Sequence, residues 1–513
     1  MSRNLSQIVR VALLCGLLAP GAALAQAELN PAIKAYNEGQ YDRAAVYLYD
    51  FITEHPADAN RAKAEFYLGQ TLEKARYFQS ALFYYGSIVN EGPQHPYYVQ
   101  SVEALIDVAE ALDDDLIIPS LLNKEYNEEF QKLRPAYLHK VNYLVGMVSH
   151  RAGQLGDAAA FLQVVPADSP YYARARYLLG IVTIQAGRST EQLDQAAKEA
   201  MAYFKEVLDL PEVGKVRYTE LRDLKDLARL GVARSYYGLG EYAEAVKYYE
   251  AVPRFSEYWD EALFENGWSR FQNEDLGGAL GSLQALHAPQ FAGAFQPESW
   301  ILKSTIYYVA CLYDEAKGAL DTFGQNYGEM KKRVAPVLEG NRELSWYYQL
   351  IVAPKLRNQL PRAVYNYIGT NKRVRGFQKY IGSLGNERKA IGSNPVFKGS
   401  QLQGELLQVI DQQKNILENV AGKFVKGRLE DVVAVINGFE SQAEIIRFET
   451  AKGEKERLEA NAAFAETLAK QKLYRPAIPA EDWEYWKFDG EFWIDEIGYY
   501  QFTLKSGCQA KAE

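Results

Sequence analysis

Histidine, methionine and cysteine are scarce in this 513-residue chain, which holds five, four and three of them. The histidines, His55, His95, His139, His150 and His287, are scattered with no second ligand at metal spacing, so no metal centre is expected. Asp113-Asp114-Asp115 lacks the alternating ligands and closing Glu of a calcium loop, and is expected to be a solvated turn. The sequence has no Gly-x-Ser-x-Gly elbow, no glycine loop ending in Gly-Lys-Ser or Gly-Lys-Thr, and no dinucleotide fingerprint. Nucleophilic and nucleotide chemistry therefore lack a home, and neither a cofactor nor a small-molecule substrate is expected. Basic residues are also in deficit, 57 against 66 acids, which removes any broad attraction to nucleic acid or anionic lipid.

Long apolar runs are missing except at the start. Arg3 and Arg10, the run Val11 to Ala19, and Ala23-Leu24-Ala25 have the layout of a secretory leader over residues 1–25, with Gln26 first in the mature chain. The run is far shorter than the roughly 20 residues a membrane span needs. Cys15 follows the bulky Leu14 where a lipoprotein site requires a small residue, so a lipid anchor is disfavoured. Export leaves Cys311 and Cys508 in a compartment that permits disulfides. Nothing in their spacing brings them together, and both are expected to stay unpaired.

What the chain does contain is self-similarity at 34 to 45 residues. The phrase Gly-x-Tyr-x-x-Ala, followed by large apolar residues, occurs at Gly39-Gln40-Tyr41-Asp42-Arg43-Ala44 and Gly240-Glu241-Tyr242-Ala243-Glu244-Ala245, and with leucine at Gly153-Gln154-Leu155-Gly156-Asp157-Ala158. A small residue stands twelve positions before several of these alanines: Gly69 before Ala81, Gly146 before Ala158, Gly267 before Ala279. Leu179-Gly180 opens a unit reaching Ala200 and Phe204, and Trp300, Tyr307, Ala316, Leu320 and Phe323 form the last clear one. Gly and Ala at such offsets let two helices approach, while Leu, Tyr and Phe fill the groove between them.

This pattern resembles the tetratricopeptide repeat, a pair of antiparallel helices, with seven units over residues 30 to 325 and room for a degenerate eighth near 96–138. The resemblance implies an all-α, right-handed helical solenoid over residues 26–330 that presents a concave surface to other proteins. Residues 331–475 are expected to form a helical extension. Lys372, Arg373, Arg375 and Lys379 lie there on a solvated loop or helix face. Two long amphipathic helices come next, about Leu402 to Phe424 and Val432 to Ile446, packing as a hairpin or capping the solenoid. Residues 476–513 crowd Trp483, Tyr485, Trp486, Phe488, Phe492, Trp493, Ile494, Tyr499, Tyr500 and Phe502 around Asp489-Gly490, which predicts a short β-hairpin whose aromatics bury against the preceding helices.

In tetratricopeptide proteins the concave face is lined by first-helix positions. Carried over unit by unit, that register selects Lys140, Tyr143, Met147 and Arg151, then Arg174, Tyr177 and Ile181, then Arg234 and Tyr237, then Phe264, Trp268 and Phe271. The resemblance thus implies an aromatic and basic groove for extended acidic or apolar peptide segments, with packing between repeats as the competing role. The tail phrase Phe488-Asp489-Gly490-Glu491-Phe492-Trp493-Ile494-Asp495-Glu496 resembles periplasmic repeat proteins of myxobacterial gliding motility. That resemblance implies a non-catalytic scaffold in a cell-envelope complex for motility or secretion, periplasmic or outer-membrane associated. An outer-membrane assembly or peptidoglycan-linked adaptor is the alternative. An enzyme resembling lytic transglycosylases is the remaining one, because Glu440-Ser441 is that family's dipeptide; the downstream Gln442-Ala443-Glu444-Ile445-Ile446 departs from its motif.

Overall fold

The computed structural model describes residues 25–114, 116–212, 218–340, 342–461, 488, 490–504 and 508. The expected leader up to residue 24, Asp115, and the tail residues Trp483, Tyr485, Trp486 and Asp489 lie outside them. The described residues are all-α: twenty-one α-helices, a few short 3-10 or π turns, and no strand. None of the helices is long and apolar enough to cross a membrane. In chain order they are α1 (Ala25–Asn37), α2 (Tyr41–Glu54), α3 (Arg61–Lys74), α4 (Phe78–Glu91), α5 (Tyr98–Leu112), α6 (Ile117–Lys124), α7 (Pro135–Arg151), α8 (Leu155–Gln163), α9 (Tyr172–Thr190), α10 (Leu193–Asp209) and α11 (Tyr218–Gly238). They continue as α12 (Tyr242–Glu250), α13 (Trp259–Gln272), α14 (Leu276–Leu286), α15 (Glu298–Val309), α16 (Tyr313–Phe323), α17 (Glu329–Glu339), α18 (Leu344–Val352), α19 (Arg362–Gly369), α20 (Lys372–Ser393) and α21 (Gln401–Asn461).

The chain divides into two compact units. The first joins the residues up to Asp113 with Ser383–Gln412; the second takes Asp114–Gly382 and the chain from Gln413.

In the first unit α1 to α5 pack each on the next. Ala32, Ala44 and Ala81 are fully buried, and Gly69 lets the Tyr85 ring lie on α3, where a Cβ would come within 2.8 Å of it. Residues 383–412 complete this unit. The buried Glu387 carboxylate accepts from the backbone N–H of Gln79 at 2.9 Å, from that of Ser80 at 2.8 Å, and from the Ser80 hydroxyl at 2.6 Å. These are orphan donors of the first turn of α4, which carries no local side-chain cap. Burial pushes the Glu387 carboxyl above its ordinary pKa, against the pull of those donors. Nearby, the Tyr49 and Tyr84 hydroxyls both donate to Glu405. Phe397, Leu402 and Leu406 are fully buried beside them.

In the second unit Asp114 caps α6, its carboxylate taking the N–H groups of Leu116, Ile117 and Ile118 at 2.8, 3.0 and 2.7 Å. The acidic run is thus, at Asp114, a buried cap where a solvated turn was expected. From α7 to α16 each helix again packs on its neighbour. Ala158, Ala200, Ala245, Ala279 and Ala316 have no exposed surface. The residue four positions after the alanine meets the small residue of the preceding helix: Leu162 on Gly146, Phe204 on Gly180, Leu283 on Gly267. Phe204 also rests on Gly231 of α11, so two glycines hold one ring. Ala233 and Ser304 fill the same position twelve before Ala245 and Ala316; both are fully buried, and the Ser304 hydroxyl donates to the Ala316 carbonyl at 2.9 Å.

Three further expectations are corrected. The two long helices and their hairpin are one unbroken helix, α21, of 61 residues. No proline interrupts Gln401–Asn461, and the apolar stripe runs through the expected break, with Val425, Leu429 and Val432 buried against α17, α18 and α19. The tail forms no β-hairpin among its described residues; its backbone hydrogen-bonds to the helix α14. Cys311 and Cys508, expected as free thiols, form a disulfide. The basic cluster lies on α20 as a helix face and is engaged: Lys372 donates to the Tyr258 hydroxyl at 2.8 Å, and the Arg373 guanidinium stands 4.8 Å from the Phe424 ring.

Candidate functional site

The residues selected for the groove lie on alternate helices of the second unit, α7, α9, α11 and α13, and contacts tie them in sequence. On α7 the buried Lys140 ammonium stands 5.7 Å from the Tyr171 ring, and Tyr143 stacks on the same ring with centroids 5.6 Å apart. Met147 is buried one turn on, 3.9 Å from the Tyr143 hydroxyl, and Arg151 is exposed at the helix end. Arg174 of α9 reaches back to both rings, 5.9 and 5.8 Å away, and forward to the Glu220 carboxylate of α11. Burial works against its charge; Tyr143 and Glu220 outweigh that and hold its pKa above the ordinary arginine value. Tyr177 and Ile181 pack on the core around Phe204, and burial pushes the Tyr177 hydroxyl up to about 12.

Arg234 of α11 carries the link to α13. Its guanidinium grips Glu265 through Nε at 2.9 Å and Nη2 at 2.8 Å, and meets Glu261 at 2.6 Å. Burial opposes this charge too, and the two carboxylates hold it protonated. Tyr237 packs edge-on against Tyr242, and Phe264, Trp268 and Phe271 pack on the core of α14 and α15. Burial raises the Glu298 carboxyl above its ordinary pKa, against the pull of the Trp268 indole. Arg174 and Arg234 are thus each met by glutamates of the next first-position helix. The surface alternates aromatic rings with closed Arg–Glu pairs. Glu220, Glu261, Glu265 and Glu298 escaped the sequence reading because they occupy the register adjacent to the selected one; a charge count along alternate helices would have found them.

Two further clusters were not expected. In the first unit Glu65, Glu91 and His95 bring their ligand atoms within 4.8 Å of one another. His95 Nδ1 accepts the Tyr97 N–H at 3.1 Å, so the ring proton sits on Nε2, 3.5 Å from Glu65, which Arg61 also pairs at 2.9 Å. A metal at Nε2 needs the opposite tautomer. The arrangement is a buried approach of His95 Nε2 to the Glu65 carboxylate without hydrogen-bond geometry. In the second unit His287 stacks on Trp300 with centroids 3.9 Å apart, and the Lys303 ammonium stands 5.2 Å from the Trp300 ring. The Ser299 hydroxyl donates to the Gln296 carbonyl at 2.6 Å, so His287 Nε2 donates to Ser299 at 2.8 Å and Nδ1 keeps a bare lone pair. Burial lowers His287 to about 3 and Lys303 to about 8.

Glu440 is ion-paired with Lys331, and the Ser441 hydroxyl donates to the Asn437 carbonyl one turn back. Of two open hollows of roughly 400 Å³, one lies over Tyr126, His139 and Phe161 and the other over Phe295, Tyr367 and Phe439; neither gathers a facing pair of carboxyls. No protein-family model matches the chain, and no curated protein sequence matches it.

Proposed function

We propose that this chain is a non-catalytic scaffold that binds other proteins, a right-handed tetratricopeptide-type solenoid whose partners dock on the face of α7, α9, α11 and α13. The observation that carries this reading is the recurrence of one packing joint. A fully buried alanine in each of α2, α4, α8, α10, α12, α14 and α16 accompanies a small residue in the preceding helix, and that joint serves the stacking of helical pairs. Surfaces rich in Tyr, Trp and Arg concentrate binding energy, and those types line the selected face. A bound segment's carboxylates can exchange with Glu220 or Glu265 at the arginines, while its apolar side chains meet Tyr143, Tyr177 and Trp268.

The leader-like start and the Cys311–Cys508 disulfide both favour an oxidising, extracytoplasmic site of action. In that setting the chain serves as a component of a cell-envelope assembly for motility or secretion, with other envelope proteins as its partners. The paired state of Glu440 supports the non-catalytic reading, since a general acid needs an apolar, unpaired setting to hold its proton. The test is affinity capture from cross-linked envelopes, comparing the wild type with Arg174→Ala/Trp268→Ala. Capture should fall at least tenfold while helical circular dichroism stays unchanged. Undiminished capture by a folded double variant removes the groove assignment.

A further inference from the structure

The C-terminal tail lies on α14 in a way that packing of aromatics alone does not require. Residues 500, 502 and 504 are half-buried while 499, 501 and 503 are exposed, the period of two that marks an extended strand. The Tyr500 carbonyl lies against Gly281 and the Phe502 carbonyl against Gly277, and the Phe502 N–H donates to the Gly277 carbonyl at 3.2 Å. A Cβ on Gly281 would stand 1.6 Å from the Tyr500 oxygen, and one on Gly277 2.3 Å from the Phe502 oxygen. Four helical residues rise about 6 Å and two extended residues about 6.7 Å, so glycines at i and i+4 match every second carbonyl of a strand running antiparallel to the helix. Ile497, fully buried beside Trp259 and Leu263, anchors one end; Arg254 adds a hydrogen bond to the Asp495 carbonyl at 2.9 Å and stands 4.0 Å from the Tyr499 ring. The Cys311–Cys508 disulfide fastens the other end, with Cys508 exposed to solvent.

We propose that the Gly277–Gly281 seam of α14 is a second peptide-binding site, made for an extended segment with large apolar side chains at alternate positions. The chain's own Tyr500-x-Phe502-x-Leu504 fills it, and the disulfide locks that occupant in. A partner segment of the same chemistry gains the seam when a dithiol reduces the lock. In that exchange the dithiol gives up two electrons and two protons and becomes a disulfide, while Cys311 and Cys508 take them up as thiols. The seam lies on α14 and not on the alternate-helix face, so it stands or falls separately from the proposed groove.

The test uses the full-length protein and a fluorescent peptide of residues 494–508 carrying Cys508→Ser. A variant combining Cys508→Ser with Phe502→Asp loses both the lock and the tail's fit, so it should bind the peptide, whereas the oxidised wild type should bind at least tenfold more weakly. Adding Gly281→Val to the open variant should abolish binding. If the open variant keeps wild-type amide protection in α14 and α15 yet fails to bind, or if Gly281→Val leaves binding intact, the site is overturned. Hydrogen exchange on the wild type tests the lock without any variant: reduction should speed exchange of the Phe502 amide at least tenfold, and unchanged exchange rejects the disulfide as the fastening.

Discussion

Single residues set how closely the helices of this chain approach. A Cβ at position 180 would lie 2.5 Å from the Phe204 ring, which Gly231 confines on its other side, so the ring has nowhere to retreat. Gly180→Ala should destabilise the second unit by about 1–3 kcal/mol, the usual cost of overpacking, measurable as a lower urea midpoint with unchanged slope. Gly156→Ala, in open space on α8, should leave the midpoint where it is or raise it slightly. Lys303 supplies a pH test. Its pKa is depressed to about 8 from 10.5, so the folded chain binds fewer protons than the unfolded one between those values, and stability from this group rises across that window. Lys303→Met should be more stable than wild type at pH 7 by about 1–2 kcal/mol, and the gap should shrink as the pH climbs from 8 towards 10.5. A gap independent of pH would show the ammonium to be well solvated. His287, held near 3, works in the acid range: its contribution is present at pH 7 and is lost as the pH falls from 6.5 towards 3.

At the level of elements, the repeat phrase located α2, α4, α8, α10, α12, α14 and α16, because alanine at a helix crossing leaves a mark at a fixed spacing. Ala32, Ala233 and Ser304 hold the same joint and were passed over, since Ala is common throughout helices and a lone Ser marks nothing, whereas a glycine such as Gly69 stands out inside one. The extended tail shows the limit of local patterns. Its alternation of aromatic and polar residues is a true strand signal, but the partner was expected to be a second strand. Only the distant pair Gly277 and Gly281 reveals a helix in that place. Glu387 is a similar case: nothing near it in sequence marks a carboxylate that caps α4. Glu387→Gln keeps one acceptor for three donors and should cost about 1–3 kcal/mol, seen as faster amide exchange in the first turn of α4 with α13 to α16 unaffected.

For the molecule as a whole, the sequence separated a repeat region from the chain after it but did not foresee that residues 383–412 belong with the first five helices. The repeat phrase carries no information about which later segment packs on α2 and α4. Nor did the candidate face appear in full, because its arginines were visible in the register and their glutamates were not. Reducing the disulfide removes a closure across 197 residues. In the chain-entropy picture that stabilises by about 5 kcal/mol at most, so a reductant should lower the thermal midpoint of the second unit. A midpoint unchanged by reductant would mean that the tail's non-covalent contacts already hold the closed state.

The buried Glu387 carboxylate that caps α4 also has a bearing on biogenesis. The amide of Gln79 and the oxygen that satisfies it are 308 residues apart in the chain. At about 5–20 residues per second a ribosome needs on the order of 15–60 seconds to span that distance. Throughout that interval the first five helices exist without their completing segment, and the first turn of α4 depends on water for the acceptors that Glu387 later supplies.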